Sequence, residues 1–188
     1  MQELKHLGAV TINTKSFILR PFKKTDYLNM YKNWASDSDV AKYLSWVAHE
    51  NIETTKHLCE IWEKESLNLN NYNWAIEYKK TKEAVGSIAV VKMCENINEA
   101  EIGYCLSKKL WGKGFMTECF SAVIDFLIVN VGFNRISATH NTPNIGSGKV
   151  MLKCGMRFEG ISRSSTLTNL NQICDLAHYS ILKDEYNK

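Results

Sequence analysis

Residues 101–118 read Glu101-Ile-Gly-Tyr-Cys-Leu-Ser-Lys-Lys-Leu-Trp-Gly-Lys-Gly-Phe-Met-Thr-Glu118. A strand-like run, a short turn carrying Gly112 and Gly114, and the start of a helix follow one another without a linker. Beyond them Phe115, Met116, Cys119, Phe120, Val123, Ile124, Leu127, Ile128 and Val131 recur at the helical period. That stripe predicts an amphipathic helix, and Gly132 stands where a helix prefers to stop. Glycines in such a turn let the backbone approach a ligand closely. The first N–H groups of the helix lack intrahelical partners and lie at the positive end of its dipole. The turn is therefore a candidate anion site, with Lys108, Lys109 and Lys113 adding charge. Taken alone, a glycine turn between strand and helix is explained equally well as a tight connection.

Working outward, residues 99–107 and 84–93 read as strands joined by a hairpin turn at 95–98, and 74–78 as another strand. Residues 16–22 alternate and end near Pro21, which predicts an opening strand. Thr25 or Asp26 can then cap a helix whose Tyr27, Met30, Tyr31 and Trp34 fall at helical spacing. A second, patchier helical stretch covers 51–69, and 36–50 reads as a loop. Downstream, 135–140 is a short strand. Pro143 opens a helix in its first turn, with Asn141 or Thr142 as cap, and Gly155 ends it. Strands near 157–165 and 173–182 complete a mixed sheet. The alternation of strand and helix in this half implies parallel pairing.

The chain has 188 residues, of which 45% are apolar and 23% charged, with a net charge of +3. This suits one α/β domain spanning 1–188, and it lacks the dense basic stripe of a nucleic-acid binder. The first twenty residues carry no secretory pattern, and the apolar run near 123–131 is broken by Asp125 and Asn130. A soluble, cytoplasmic protein without membrane contact is expected. The six cysteines are scattered, with no CxxC pair and no zinc-ligand spacing. They read as small core residues in a reducing compartment, with no metal and no disulfide.

A second segment, Asn141-Thr-Pro-Asn-Ile-Gly-Ser-Gly-Lys-Val-Met-Leu-Lys-Cys-Gly-Met-Arg-Phe-Glu-Gly160, and the opening Phe17-Ile-Leu-Arg-Pro-Phe22 join the first in a larger pattern. Together the three resemble the GNAT superfamily of N-acetyltransferases, in particular its branch related to the RimJ and RimL ribosomal-protein N-terminal acetyltransferases. The resemblance covers about residues 10–183. It implies the GNAT fold: a mixed sheet of six to seven strands flanked by about four helices and splayed between the fourth and fifth strands. It implies acetyl-CoA as cosubstrate and no metal. The superfamily's pyrophosphate loop is matched by Lys109-Leu-Trp111-Gly112-Lys113-Gly114, with lysine in place of the usual Gln or Arg. Phe115, Met116 and Thr117 follow at the helix start. Tyr104, Cys105 and Leu106 would lie on the strand that parts from 135–140, and the pantetheine arm would enter that gap. Asn144 would bind the same arm, with Asn141 also facing the cosubstrate.

The resemblance further implies Glu101 as general base and Ser147 as the group that hydrogen-bonds the departing thiolate. The chemistry is direct transfer in a ternary complex. Strand N–H groups would stabilise the oxyanion. A chain-terminal amine, with a pKa of about 8, needs only a modest base, whereas a lysine amine at about 10.4 is mostly protonated. An acyl-enzyme on Cys105 is the mechanistic rival, though no histidine pattern would activate it. Three functions stay open: acetylation of a protein N-terminus, ribosomal or other; acetylation of a small amine such as an aminoglycoside, polyamine or amino acid; and a silent acetyl-CoA-binding module. His140 reads as a structural histidine near the cosubstrate, and residues 43–46 lie where related enzymes build the acceptor wall. A homodimer through the final strand is also left open.

Overall fold

The computed structural model describes residues 3–186, so two residues at each end of the expected domain lie outside it. Its strands are β1 (Ile12–Asn13), β2 (Phe17–Pro21), β3 (Asn73–Tyr78), β4 (Glu83–Cys94), β5 (Glu99–Leu106), β6 (Arg135–Asn141), β7 (Arg157–Leu167) and β8 (Ile173–Leu182). They form one mixed sheet in the order β1-β2-β3-β4-β5-β6-β8-β7. The helices are α1 (Tyr27–Met30), which continues as a π-helical turn over Tyr31–Ala35, α2 (Ser38–Ala41), α3 (Ile52–Glu65), α4 (Phe115–Asp125) and α5 (Ile145–Lys153). The eighth strand beyond the expected six to seven is β1, whose two residues are too few to show an alternating pattern.

The sheet carries helices on both faces. Met116, Cys119, Phe120, Val123 and Ile124 of α4 pack on one face with Leu19, Ile88, Ile102 and Ile136, and α5 adds Met151. Met30 of α1, Trp34 after it and Cys59 of α3 cover the other face with Ala75, Ala84 and Cys105. The Leu-Arg-Pro of the opening strand acts in this assembly. Arg20 grips the buried Asp26 carboxylate through two bonds of 2.8 Å and Glu77 through one of 2.7 Å. The start of the first helical segment is thereby fixed to β2 and β3. Asp26 serves as this anchor and not as the side-chain cap of α1.

Only one neighbouring pair runs parallel, β5 with β6. The strand after α5 does not pair with β6 as expected. The chain reverses through the β7–β8 hairpin, and β8 inserts between the two, antiparallel to both. Both edges of β8 are thus paired within the chain.

The β5–β6 ladder holds only Glu99 with Arg135, Ala100 with Ile136 and Glu101 with Ser137. Both strands continue, to Leu106 and Asn141, so they part beyond Glu101. This is the expected splay, one place later in the count because β1 precedes it.

Two further expectations are corrected. Residues 36–50 are not all loop, since α2 forms there with Asp37 accepting from the Asp39 N–H. Asn141 and Thr142 do not cap the last helix: Asn141 ends β6, and the cap is Asn144, whose side-chain oxygen accepts from the Ser147 N–H at 3.4 Å. Proline 143 thus precedes the cap and lies outside the first turn.

Candidate active site

A cleft of about 640 Å³ opens where β5 and β6 part. Its floor is Tyr104, Cys105 and Leu106; one wall is the turn from Leu110 to Thr117, and another is the start of α5, including Asn144 and Ser147. Of the residues singled out in the sequence, Trp111, Gly112, Gly114, Phe115, Met116 and Thr117 line it as well. Lys109, Lys113, Asn141 and Glu101 do not.

The turn is built by its glycines. Gly112 has φ +73° and Gly114 φ +77°, in the left-handed region that side-chained residues avoid, while nothing lies within 4 Å of either missing Cβ. Conformation, not space, demands glycine there. The first turn of α4 has no side-chain cap, so its N–H groups face the cleft mouth with the dipole's positive end. The Trp111 indole donates to the Leu106 carbonyl at 2.7 Å and ties the turn to β5.

Two lysines around this turn have partners within the chain. Lys108 is ion-paired with Asp39 of α2, and Lys113 donates to the Lys109 carbonyl at 2.9 Å. Lys149 and Lys153, four residues apart on α5, bring further positive charge to the cleft lining. That spacing was visible in the sequence and places both on one helix face.

Tyr104 reaches from β5 to α5. Its hydroxyl lies 2.9 Å from the Ser147 hydroxyl and 3.1 Å from the Ser147 carbonyl. Burial lifts the phenol well above its ordinary range, partly offset by the bond to Ser147, so Tyr104 stays protonated near neutral pH. Side chains alternate along a strand, so Glu101 faces the side opposite Tyr104. Glu101 is half-buried at the closed end of the splay, and its carboxylate accepts from the Thr139 hydroxyl at 3.0 Å. The two expected catalytic groups therefore flank the opening from opposite faces of the sheet.

The Cys105 thiol is buried, 3.2 Å from the Ser87 hydroxyl, and burial pushes its pKa up. That disfavours the thiolate an acyl-enzyme would require. His140 is also buried. Its Nδ1 lies 2.9 Å from the Asn141 carbonyl oxygen, its ring stacks on Tyr179, and a Cβ added to Gly148 would meet its Nε2 at 2.6 Å. Gly148 thus lets α5 settle directly onto β6 and β8.

Over the mouth, Val40, Tyr43 and Leu44 of α2 and its following loop complete the lining; Tyr43 and Leu44 belong to the segment 43–46 expected at the acceptor wall, whereas Val40 was not singled out. The tip of the β7–β8 hairpin reaches this loop. Asn169 donates to the carbonyls of Ala41 and Trp46, both at 2.9 Å. Around this clasp Val47, Leu167, Leu170 and Ile173 stand exposed at 57%, 58%, 68% and 70%. No helix among the described residues is long and apolar enough to cross a membrane.

Comparison with known proteins adds to this geometry. The family model described as acetyltransferase (GNAT) domain matches residues 16–157. The N-acetyltransferase p20 of Bacillus licheniformis is 27% identical over 94% of this chain and 98% of its own length. Among solved structures, a GNAT-family acetyltransferase from Bacillus anthracis superposes with a TM-score of 0.81 at 27% identity, covering 94% of this chain and all of that one. The ribosomal-protein-S5-alanine acetyltransferase of Vibrio fischeri shares the fold, with a TM-score of 0.82 at 18% identity over 95% of this chain and all of that one.

Proposed function

The chain belongs to the GNAT acetyltransferase family and is an acetyl-CoA-dependent N-acetyltransferase; from that premise we propose that its acceptor is the α-amine of a polypeptide N-terminus. The carrying observation is the mouth of the cleft. Beside the charged Asp39, Lys42 and Lys108, its exposed surroundings include an apolar rim at Val47, Leu167, Leu170 and Ile173, and the Asp39 carboxylate is ion-paired with Lys108. A polyamine or aminoglycoside calls for a cluster of unpaired carboxylates, whereas a peptide presents side chains that an apolar rim accepts. The shared fold with a ribosomal-protein-S5-alanine acetyltransferase is in keeping with this acceptor.

The cleft suits the cosubstrate. The uncapped start of α4 and the left-handed glycine turn would hold the pyrophosphate, and Lys149 and Lys153 would meet a further phosphate. The facing edges of β5 and β6, unpaired beyond Glu101, would offer backbone groups to the pantetheine amides. When bound, acetyl-CoA supplies a thioester carbonyl for attack and a thiolate as leaving group. On one face of the sheet, Glu101 would take the proton that the attacking amine sheds. On the other, the Tyr104–Ser147 hydroxyl pair would give a proton to the leaving sulfur. Placement on opposite faces keeps the two proton transfers from short-circuiting each other.

The test is to incubate the protein with acetyl-CoA and a panel of N-terminal peptides, polyamines, aminoglycosides and amino acids, and to identify products by mass spectrometry. Acetylated peptide α-amines are the expected result. Acetylation confined to a small amine would overturn the proposed acceptor while leaving the enzyme class intact.

A further inference from the structure

We infer that Thr139 is a positioning residue that aims the Glu101 carboxylate into the opening between β5 and β6; the inference rests on Glu101 serving as the base. The last backbone pair between these strands is Glu101 with Ser137, and Thr139 lies two residues past it. Beyond that point no ladder fixes one strand against the other. Strand alternation puts Thr139 on the same face as Ser137, the face that Glu101 occupies. Its hydroxyl donates to Glu101 Oε1 at 3.0 Å.

An ionised carboxylate is acceptor-only, so the hydroxyl proton has one use in this pair, and a bond to a charged acceptor is about twice as strong as a neutral one. Thr139 is β-branched, which limits its χ1 on a strand and fixes where the hydroxyl points. The other Glu101 oxygen makes no hydrogen bond among the described residues and is left to face the acceptor amine. Lys92, the register partner of Glu101 on β4, is exposed and makes no ion pair with it among the described residues, and Arg135, Glu159 and His178 on this face have their own partners. Arg135 is held by Glu99 at 2.9 Å and by Glu159 at 2.6 Å, while Glu159 also accepts from Ser180. His178, the register partner of Thr139 on β8, bonds Ser162 at 2.9 Å. Thr139 is thus the side chain that secures Glu101.

The test uses Thr139→Val, Thr139→Ser and Glu101→Gln in the full chain. The ¹³C signal of the Glu101 carboxyl, assigned by its absence in Glu101→Gln, is expected to move in Thr139→Val and return in Thr139→Ser. It needs no acceptor. With acetyl-CoA and the free-amine form of a peptide that the panel identifies as an acceptor, Thr139→Val should lower kcat about tenfold, with KM for acetyl-CoA within twofold and Thr139→Ser restoring the rate. The Glu101→Gln, Thr139→Val double variant should be no slower than Glu101→Gln alone. An unmoved carboxyl signal, or wild-type kcat in Thr139→Val beside a slow Glu101→Gln, would overturn the positioning role and leave Glu101 as base. Wild-type kcat in Glu101→Gln would remove the base itself, and the inference with it.

Discussion

Single atoms decide how the last helix meets the sheet. Gly148 lies against the His140 ring, and a methyl group there would come within 2.6 Å of Nε2 and 3.1 Å of the Tyr179 hydroxyl. Both neighbours are buried and stacked on one another, so neither can swing away freely. Gly148→Ala is expected to lower stability by about 1–3 kcal/mol despite alanine's better helix propensity, as read by urea denaturation. The same position shows where sequence reasoning ended. A glycine in a helix interior weakens that helix on propensity alone, and only the packed neighbours reveal that the missing side chain is required for contact. The serine next to it carries another testable role. Ser147→Ala should reduce turnover while leaving acetyl-CoA affinity nearly intact, because the hydroxyl is directed at Tyr104 and its backbone N–H still meets the Asn144 cap. Equilibrium binding together with single-turnover rates separates the two effects.

Among the elements, the strand–turn–helix of β5 and α4 was the most legible in the sequence. Nine apolar positions keep helical spacing over 115–131, where α4 runs on as a π-helical segment from Phe126 to Val131, and Gly112, Gly114 and Gly132 mark the edges with the positive φ that each needs. Replacing Gly112 or Gly114 by alanine should cost about 1–2 kcal/mol, through strain alone because nothing crowds either site. The altered turn should also weaken acetyl-CoA binding, measurable by calorimetry. Elements set by long-range partners were not legible. The two residues of β1 gain their place from β2. Residues 36–50 gained a helix only through the Asp37 cap and the hairpin's Asn169, more than a hundred residues away. The order of β7 and β8 also escaped, since local alternation says which segments are strands but not which edge each one joins. The candidate site divides in the same way. Within the loop matched over Lys109–Gly114, Trp111, Gly112 and Gly114 line the cleft, whereas Lys109 and Lys113 stand beside it.

For the whole molecule, charge pairing beyond the splay ties stability to pH. The Arg135 guanidinium holds the Glu159 carboxyl down from the ordinary 4.5 to about 2, with Ser180 helping. A carboxyl depressed in the folded state stabilises above its unfolded value and loses that contribution as pH falls through its folded one. Glu159 is over a third exposed, so solvent screening limits the gain to about 1 kcal/mol or less. Glu159→Gln should therefore melt below wild type at pH 7, and the two curves should converge between about pH 4.5 and 2.

The edge strand β7 is long and exposed but broken by two register shifts, a feature that discourages sheet-to-sheet association. The other break in regularity, the short ladder between β5 and β6, has a mechanical meaning. It makes the centre of the sheet a seam, with five strands on one side and three on the other joined by three backbone pairs. A load applied across the strands would open the protein there first, and a cosubstrate lying along both free edges would act as the stitch that closes it.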